Sequence, residues 1–125
     1  MVCLSSQAIA QYRSQLASLP EALWALDCIE DCEGDLEDAA LTLGIQVGQQ
    51  PDCTDWLAGL AKRCRAVLCE APWEAELRQG NLATVVSHLM DSQMCHPRLA
   101  PVIVLYVQAL GVQAFCEPLH LKLNY

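Results

Sequence analysis

Eight cysteines, three histidines and fifteen carboxylates are the groups in this 125-residue chain that could do chemistry. Their spacing tests each kind in turn. A structural zinc site draws four ligands from convergent pairs, commonly two to four residues apart. Cys28-x3-Cys32 sets two thiols one helical turn apart and can chelate. Cys64-x4-Cys69 does not share a helical face, Cys95 and His96 are neighbours that point apart, and no Cys-x2-Cys occurs. No metal or cofactor is therefore expected. Nucleophilic catalysis needs a thiol beside a base that a third group orients. Cys95, in a polar connector near His88 and His96, is the one candidate nucleophile. Cys64, flanked by Lys62, Arg63 and Arg65, is a candidate redox-sensitive thiol, because nearby cations lower a thiol pKa. His88, His96 and His120 are too scattered to argue a proton relay. No Gly-rich phosphate loop or Gly-x-Ser-x-Gly elbow accompanies these residues.

Carboxylates crowd one stretch, from Glu21 to Asp38. Asp31, Glu33 and Asp35 alternate as calcium-loop ligands do, but Leu36 and Thr42 stand where such a loop needs its Gly and its bidentate Glu. The stretch reads instead as a solvated helix–turn–helix junction or as a docking surface for a basic partner. Glu30, Asp31, Glu33, Asp35, Glu37 and Asp38 are its candidate interaction residues. Trp24, Trp56 and Trp73 are candidate anchors, since Trp is enriched at interface hot spots; Trp56, midway in an amphipathic helix, fits a core better, and Trp73 joins the candidate surface. Lys62, Arg63 and Arg65 form a basic island able to pair with the acidic hairpin, within the fold or across a dimer.

The elements that carry these residues are helical in pattern. Ser5 or Ser6 caps a helix over residues 6–18, with Ile9, Tyr12, Leu16 and Leu19 at helical spacing. Pro20 and Glu21 start a second helix that carries Leu23, Trp24, Leu26 and Ile29 inward and stops at Gly34. Asp35 caps a third helix, with Leu36, Ala39, Ala40, Leu43 and Val47 inward, which ends at Gly48. Thr54 opens a fourth, whose apolar face runs from Trp56 to Leu68. Pro72 and Trp73 begin a short turn that ends near Gly80, and Asn81 caps a helix over residues 81–93.

The most apolar stretch is residues 99–116, LAPVIVLYVQALGVQAFC, which carries no charge. A segment apolar all round is buried, in a helical core or in a membrane. Its length reaches the lower edge of a membrane span, yet Pro101, Gln108, Gly111 and Gln113 interrupt it and no basic cluster flanks it. A buried core helix is expected, bent at Gly111 and stopped by Pro118. Val102, Ile103, Val104 and Val107 are β-branched and suit a strand, but no second strand exists to pair with.

Composition agrees with a bundle that meets another protein. Hydrophobic residues make up 54% of the chain, an excess that supplies a large core or an exposed apolar patch. Net charge is −8, which repels phosphate backbones and argues against nucleic acid. Eight cysteines fall short of the roughly 8–10% that marks a disulfide scaffold. MVCLSSQAIA lacks the basic and apolar regions of a signal peptide. Reduced thiols in a cytoplasmic protein are therefore expected, with Cys28, Cys64 and Cys116 packing as small hydrophobes.

Within residues 22–45, ALWALDCIEDCEGDLEDAALTLGI, the order helix, Gly34-Asp35 turn, Leu36-Glu37-Asp38-Ala39 locally resembles the second and third helices of ubiquitin-associated-like domains, including the N-terminal domain of the translation factor EF-Ts. It lacks their Gly-containing first loop. The resemblance implies a tight helical hairpin and carries no ubiquitin or ribosome function. This hairpin and the WLAGLAKRCR stretch also give the chain the look of small all-helical cyanobacterial proteins of unknown function. The sequence thus leads to one all-α domain over residues 1–125, six or seven short helices around a buried apolar helix near 99–116. Its expected role is that of a non-enzymatic interaction module for a protein partner, basic in character, with a homodimer as a further possibility. The alternative is a thiol-dependent enzyme or redox sensor using Cys95 or Cys64.

Overall fold

A computed structural model describes residues 2–52 and 55–123, with side chains through Leu119. Among the described residues all regular structure is helical: α1 (Ser6–Gln15), α2 (Pro20–Asp31), α3 (Leu36–Gln46), α4 (Trp56–Leu68), α5 (Trp73–Gln79), α6 (Leu82–Asp91), α7 (Ala100–Leu110) and α8 (Val112–Leu123). The apolar stretch is the centre of this arrangement. Residues 102–105 and Val107 have no exposed surface, and α7 packs against α2, α3, α4, α6 and α8. Helix prevails over the β preference of its side chains because a helix bonds most of its backbone groups within the segment, which a lone strand cannot achieve. Among the described residues there are eight helices rather than six or seven, because the apolar stretch is two elements meeting at 98° around Gly111. No single described helix is long and apolar enough to cross a membrane.

Local signals account for most boundaries. The Ser5 hydroxyl accepts from the Ala8 N–H, and the Asp35 carboxylate accepts from the N–H groups of Glu37 and Asp38. Each satisfies donors that the first turn of a helix leaves open. Three expectations need correction. Asn81 stands at the start of α6, but its side-chain amide donates to Gln79 instead of capping. Pro118 does not stop α8, which runs through it to Leu123. The carbonyl that Pro118 deprives of a donor belongs to Ala114, and both residues are exposed, so water can serve it. Trp24 does not face inward: it is 49% exposed. It lies two residues, about 200°, from the buried Ala22 and Leu26, and so falls outside the core face they share with Ala25 and Ile29. The expected opening of α4 at Thr54 lies outside the described residues.

The hairpin expected over residues 22–45 forms, and a strap closes it. Gly34 takes a φ of 86° between α2 and α3, a left-handed conformation that glycine adopts without a Cβ clash. Residues 2–4 lie along this turn. The Leu4 N–H donates to the Gly34 carbonyl at 2.8 Å, the Leu36 N–H to the Val2 carbonyl at 3.0 Å, and the Val2 N–H to the Glu37 carboxylate at 2.8 Å. At Gly44 the need is for space rather than for φ: a Cβ there would run into the Trp56 ring, so the glycine lets α3 and α4 close on each other. Trp56 is half-buried against the core.

Candidate functional site

Two groups of side chains carry chemistry, one on the α2–α3 hairpin and one between α4 and the α6–α7 connector. On the hairpin, Trp24, Asp27, Cys28, Asp31, Cys32, Thr42 and Gln46 line a cleft of about 270 Å3. Asp31 and Cys32 also belong to the adjoining hollow formed with Cys3, Glu33, Asp35 and Asp38. Trp24 is the exposed apolar wall. The Arg98 guanidinium lies 4.3 Å over its ring, and the indole N–H donates to Gln46 at 3.4 Å. Ile45, nearby in sequence to Gln46, is 67% exposed.

The six carboxylates singled out by sequence divide by what they touch. Asp35 caps α3, and Glu37 accepts from the strap. Glu30 lies 3.5 Å from Arg13, which also holds Asp27 at 2.7 Å. These bonds raise the Arg13 pKa, Asp27 most strongly. Asp31, Glu33 and Asp38 are exposed around the hollow. The basic island is thus not the hairpin's counter-charge. Lys62 and Arg63 are exposed, and the Arg65 guanidinium lies 4.8 Å over the Phe115 ring. Trp73 is separate from the acidic group: it stacks on His88 at 4.0 Å and lines a different hollow with Ser18, Leu19 and Ala83. Among the described residues no three His, Cys, Asp or Glu side chains converge as a metal site requires.

The cysteines are sorted in a way their spacing does not reveal. Cys69 and Cys116 are joined by a disulfide that ties the end of α4 to α8, which corrects the expectation of reduced thiols throughout and the reading of Cys116 as a free packing thiol. Cys28 and Cys32 contact one another beside α3: the Cys28 thiol donates to the Ala39 carbonyl at 3.8 Å, and Cys32 lies 3.9 Å from the Thr42 hydroxyl. Burial, with Cys32 adding, pushes the Cys28 thiol up to about 12. Burial also raises Cys32, with the Asp38 carboxylate adding and Thr42 and Cys28 opposing.

Cys64 and Cys95, picked out for separate reasons, perturb each other's titration. The influence of Cys95 lowers the Cys64 thiol against the opposing effect of burial, and Arg63 assists. The influence of Cys64, followed by burial, raises Cys95. The group that most perturbs Cys95 is therefore a second thiol rather than a histidine. His96 Nδ1 accepts from the Arg98 N–H within its own turn, and His88 is stacked on Trp73. The His120 side chain lies outside the described residues.

Sequence reasoning missed Arg13, Arg98, Thr42 and Gln46. Nothing in their local pattern marks them, because each acquires its role from a different helix. No family model matches the chain, and comparison with curated proteins and with solved structures returns no relative.

Proposed function

We propose that this chain is a non-enzymatic helical interaction module whose docking face is the α2–α3 edge. The carrying observation is that the half-exposed Trp24 borders a cleft rimmed by Asp27 and Asp31. An aromatic wall beside carboxylates suits a basic protein segment that carries an apolar residue: the apolar group fills the cleft, and Lys or Arg side chains meet the rim. Charge complementarity of this kind raises the association rate and selects against acidic partners. The net charge of −8 extends the same preference over longer range. A second copy of the chain is the competing occupant, and it is disfavoured by its own like charge. The alternative, thiol chemistry at Cys64 or Cys95, concerns a different part of the molecule.

The test is fluorescence titration with an amphipathic lysine–leucine peptide, with a glutamate–leucine peptide of the same pattern as its control. The basic peptide should bind and the acidic one should not. Trp24→Ala should weaken binding by about 30-fold, as expected when a hot-spot aromatic is removed. Asp27→Asn with Asp31→Asn should weaken it further and reduce its salt dependence. Affinity unchanged by these substitutions would reject the α2–α3 face. Sedimentation equilibrium that shows a concentration-dependent dimer, broken by Trp24→Ala, would assign the face to self-association instead.

A further inference from the structure

The two carboxylates that rim the Trp24 cleft are not equivalent. Each residue of an α-helix turns about 100° and rises about 1.5 Å. Asp31, seven residues after Trp24 in α2, therefore lies within about 20° of it around the helix and about 10.5 Å farther along. Asp27 and Glu30 are turned away from Trp24 in one direction, by about 60° and about 120°. That direction is the α1 side, because Arg13 reaches both from α1: its guanidinium lies 2.7 Å from Asp27 and 3.5 Å from Glu30. Asp31 is exposed, lines the cleft and is in no ion pair with a described residue. Its charge is felt at the cleft floor, where it adds to burial and Cys32 in raising the Cys28 thiol.

We propose that Asp31, and not Asp27, is the carboxylate that selects the partner, so that the docking segment carries an apolar residue and a lysine or arginine about 10 Å apart along α2. The apolar residue packs on Trp24 at one end of the cleft, and the cation meets Asp31 at the other. A cation directed to Asp27 would compete with a guanidinium already 2.7 Å away and would enter beside its positive charge. Arg13 thus neutralises the α1 side of the helix and leaves one uncompensated charge in line with the aromatic wall. Selection by spacing follows, since a segment with its cation one turn from its anchor faces Asp27 and gains little.

This inference rests on the docking reading, and its experiment separates the two. The probes are neutral alanine–glutamine helical peptides with a leucine anchor and either no lysine or one lysine three or seven residues away on either side. Each is titrated by fluorescence against the full chain. The seven-residue spacing should bind about fourfold tighter than the peptide without lysine, the upper range for an exposed charge pair. That gain should vanish in Asp31→Asn and persist in Asp27→Asn; both positions are exposed, and urea unfolding checks that each variant folds. The three-residue spacing should gain less than about 1.5-fold. Asp31→Lys should reverse the preference, favouring glutamate in place of the lysine, which a merely structural role for Asp31 would not produce. A gain that depends on Asp27, or no gain at either spacing while binding still requires Trp24, would overturn this inference and leave the docking face standing. No binding by any of these peptides, or binding indifferent to Trp24→Ala, would overturn both.

Discussion

Replacing Gly34 by alanine separates the cost of a turn from the cost of the strap that lies against it, with Gly80 as the control. Gly34 has a φ of 86° and Gly80 one of 81°. Alanine therefore meets a similar backbone penalty at both, about 1 kcal/mol once the entropy removed from the unfolded chain is subtracted. Their surroundings differ. Nothing lies within 4 Å of a Cβ at Gly80, whereas at Gly34 it would collide with the Leu4 carbonyl. Lifting residues 2–4 relieves that collision, so the added cost is bounded by what docking the strap contributes. Two backbone hydrogen bonds contribute about 1 kcal/mol each and the bond to the Glu37 carboxylate about 1.5. Half-burial of Val2 and Leu4 adds about 1.5 kcal/mol, and ordering the segment costs about 1 per residue. About 2 kcal/mol remains. Gly34→Ala should therefore destabilise by about 3 kcal/mol and Gly80→Ala by about 1. Urea unfolding reads the difference: with a slope of about 2 kcal/mol per molar, the midpoint should fall by about 1.5 M and about 0.5 M respectively. In a chain lacking residues 2–4 the two substitutions should cost the same. Equal costs in the full chain would refute the docked strap.

Reducing the Cys69–Cys116 bridge, whose ends are 47 residues apart, should cost about 4 kcal/mol through the freed unfolded chain; coincident urea curves with and without reductant, for protein shown by mass to carry the bridge, would contradict that account. Ile103→Ala, at a position with no exposed surface in α7, should cost about 2–5 kcal/mol by leaving a cavity, while Ile45→Ala, 67% exposed, should cost less than about 0.5. A cost below about 1 kcal/mol at Ile103 would remove α7 from the centre of the core. Cys28 gives a pH dependence. The fold holds its thiol neutral up to about 12 against an ordinary 9.0, so its contribution is intact below pH 9 and is lost as pH rises toward 12, by up to about 1.4 kcal/mol per unit. Cys28→Ala should flatten the alkaline limb of stability in that window, and an unchanged limb would mean that other groups carry it.

Some of this molecule could be read without coordinates. Ser5 and Asp35 cap where their side chains allow, Gly34 turns the chain between α2 and α3, and the uncharged stretch around Val104 is buried because no face of it tolerates water. These outcomes depend on a residue and its near neighbours, and helical periodicity carries them. Trp24 shows the limit. Hydrophobicity assigned it inward, but its angle from Ala22 and Leu26 turns it outward, where Arg98 and Gln46 cover part of its ring.

The cysteines mark the boundary most sharply. Sequence could say that Cys64 sits among cations and that Cys95 lies in a connector. Only the sharp bend at Gly111 turned Cys116 back to Cys69. Local composition determines which segments become helices and which faces are buried, because those free energies are summed residue by residue along the chain. Which side chain meets which across the bundle depends on crossing angles and bends that no single segment contains, and the chemistry available to this protein lies in those meetings.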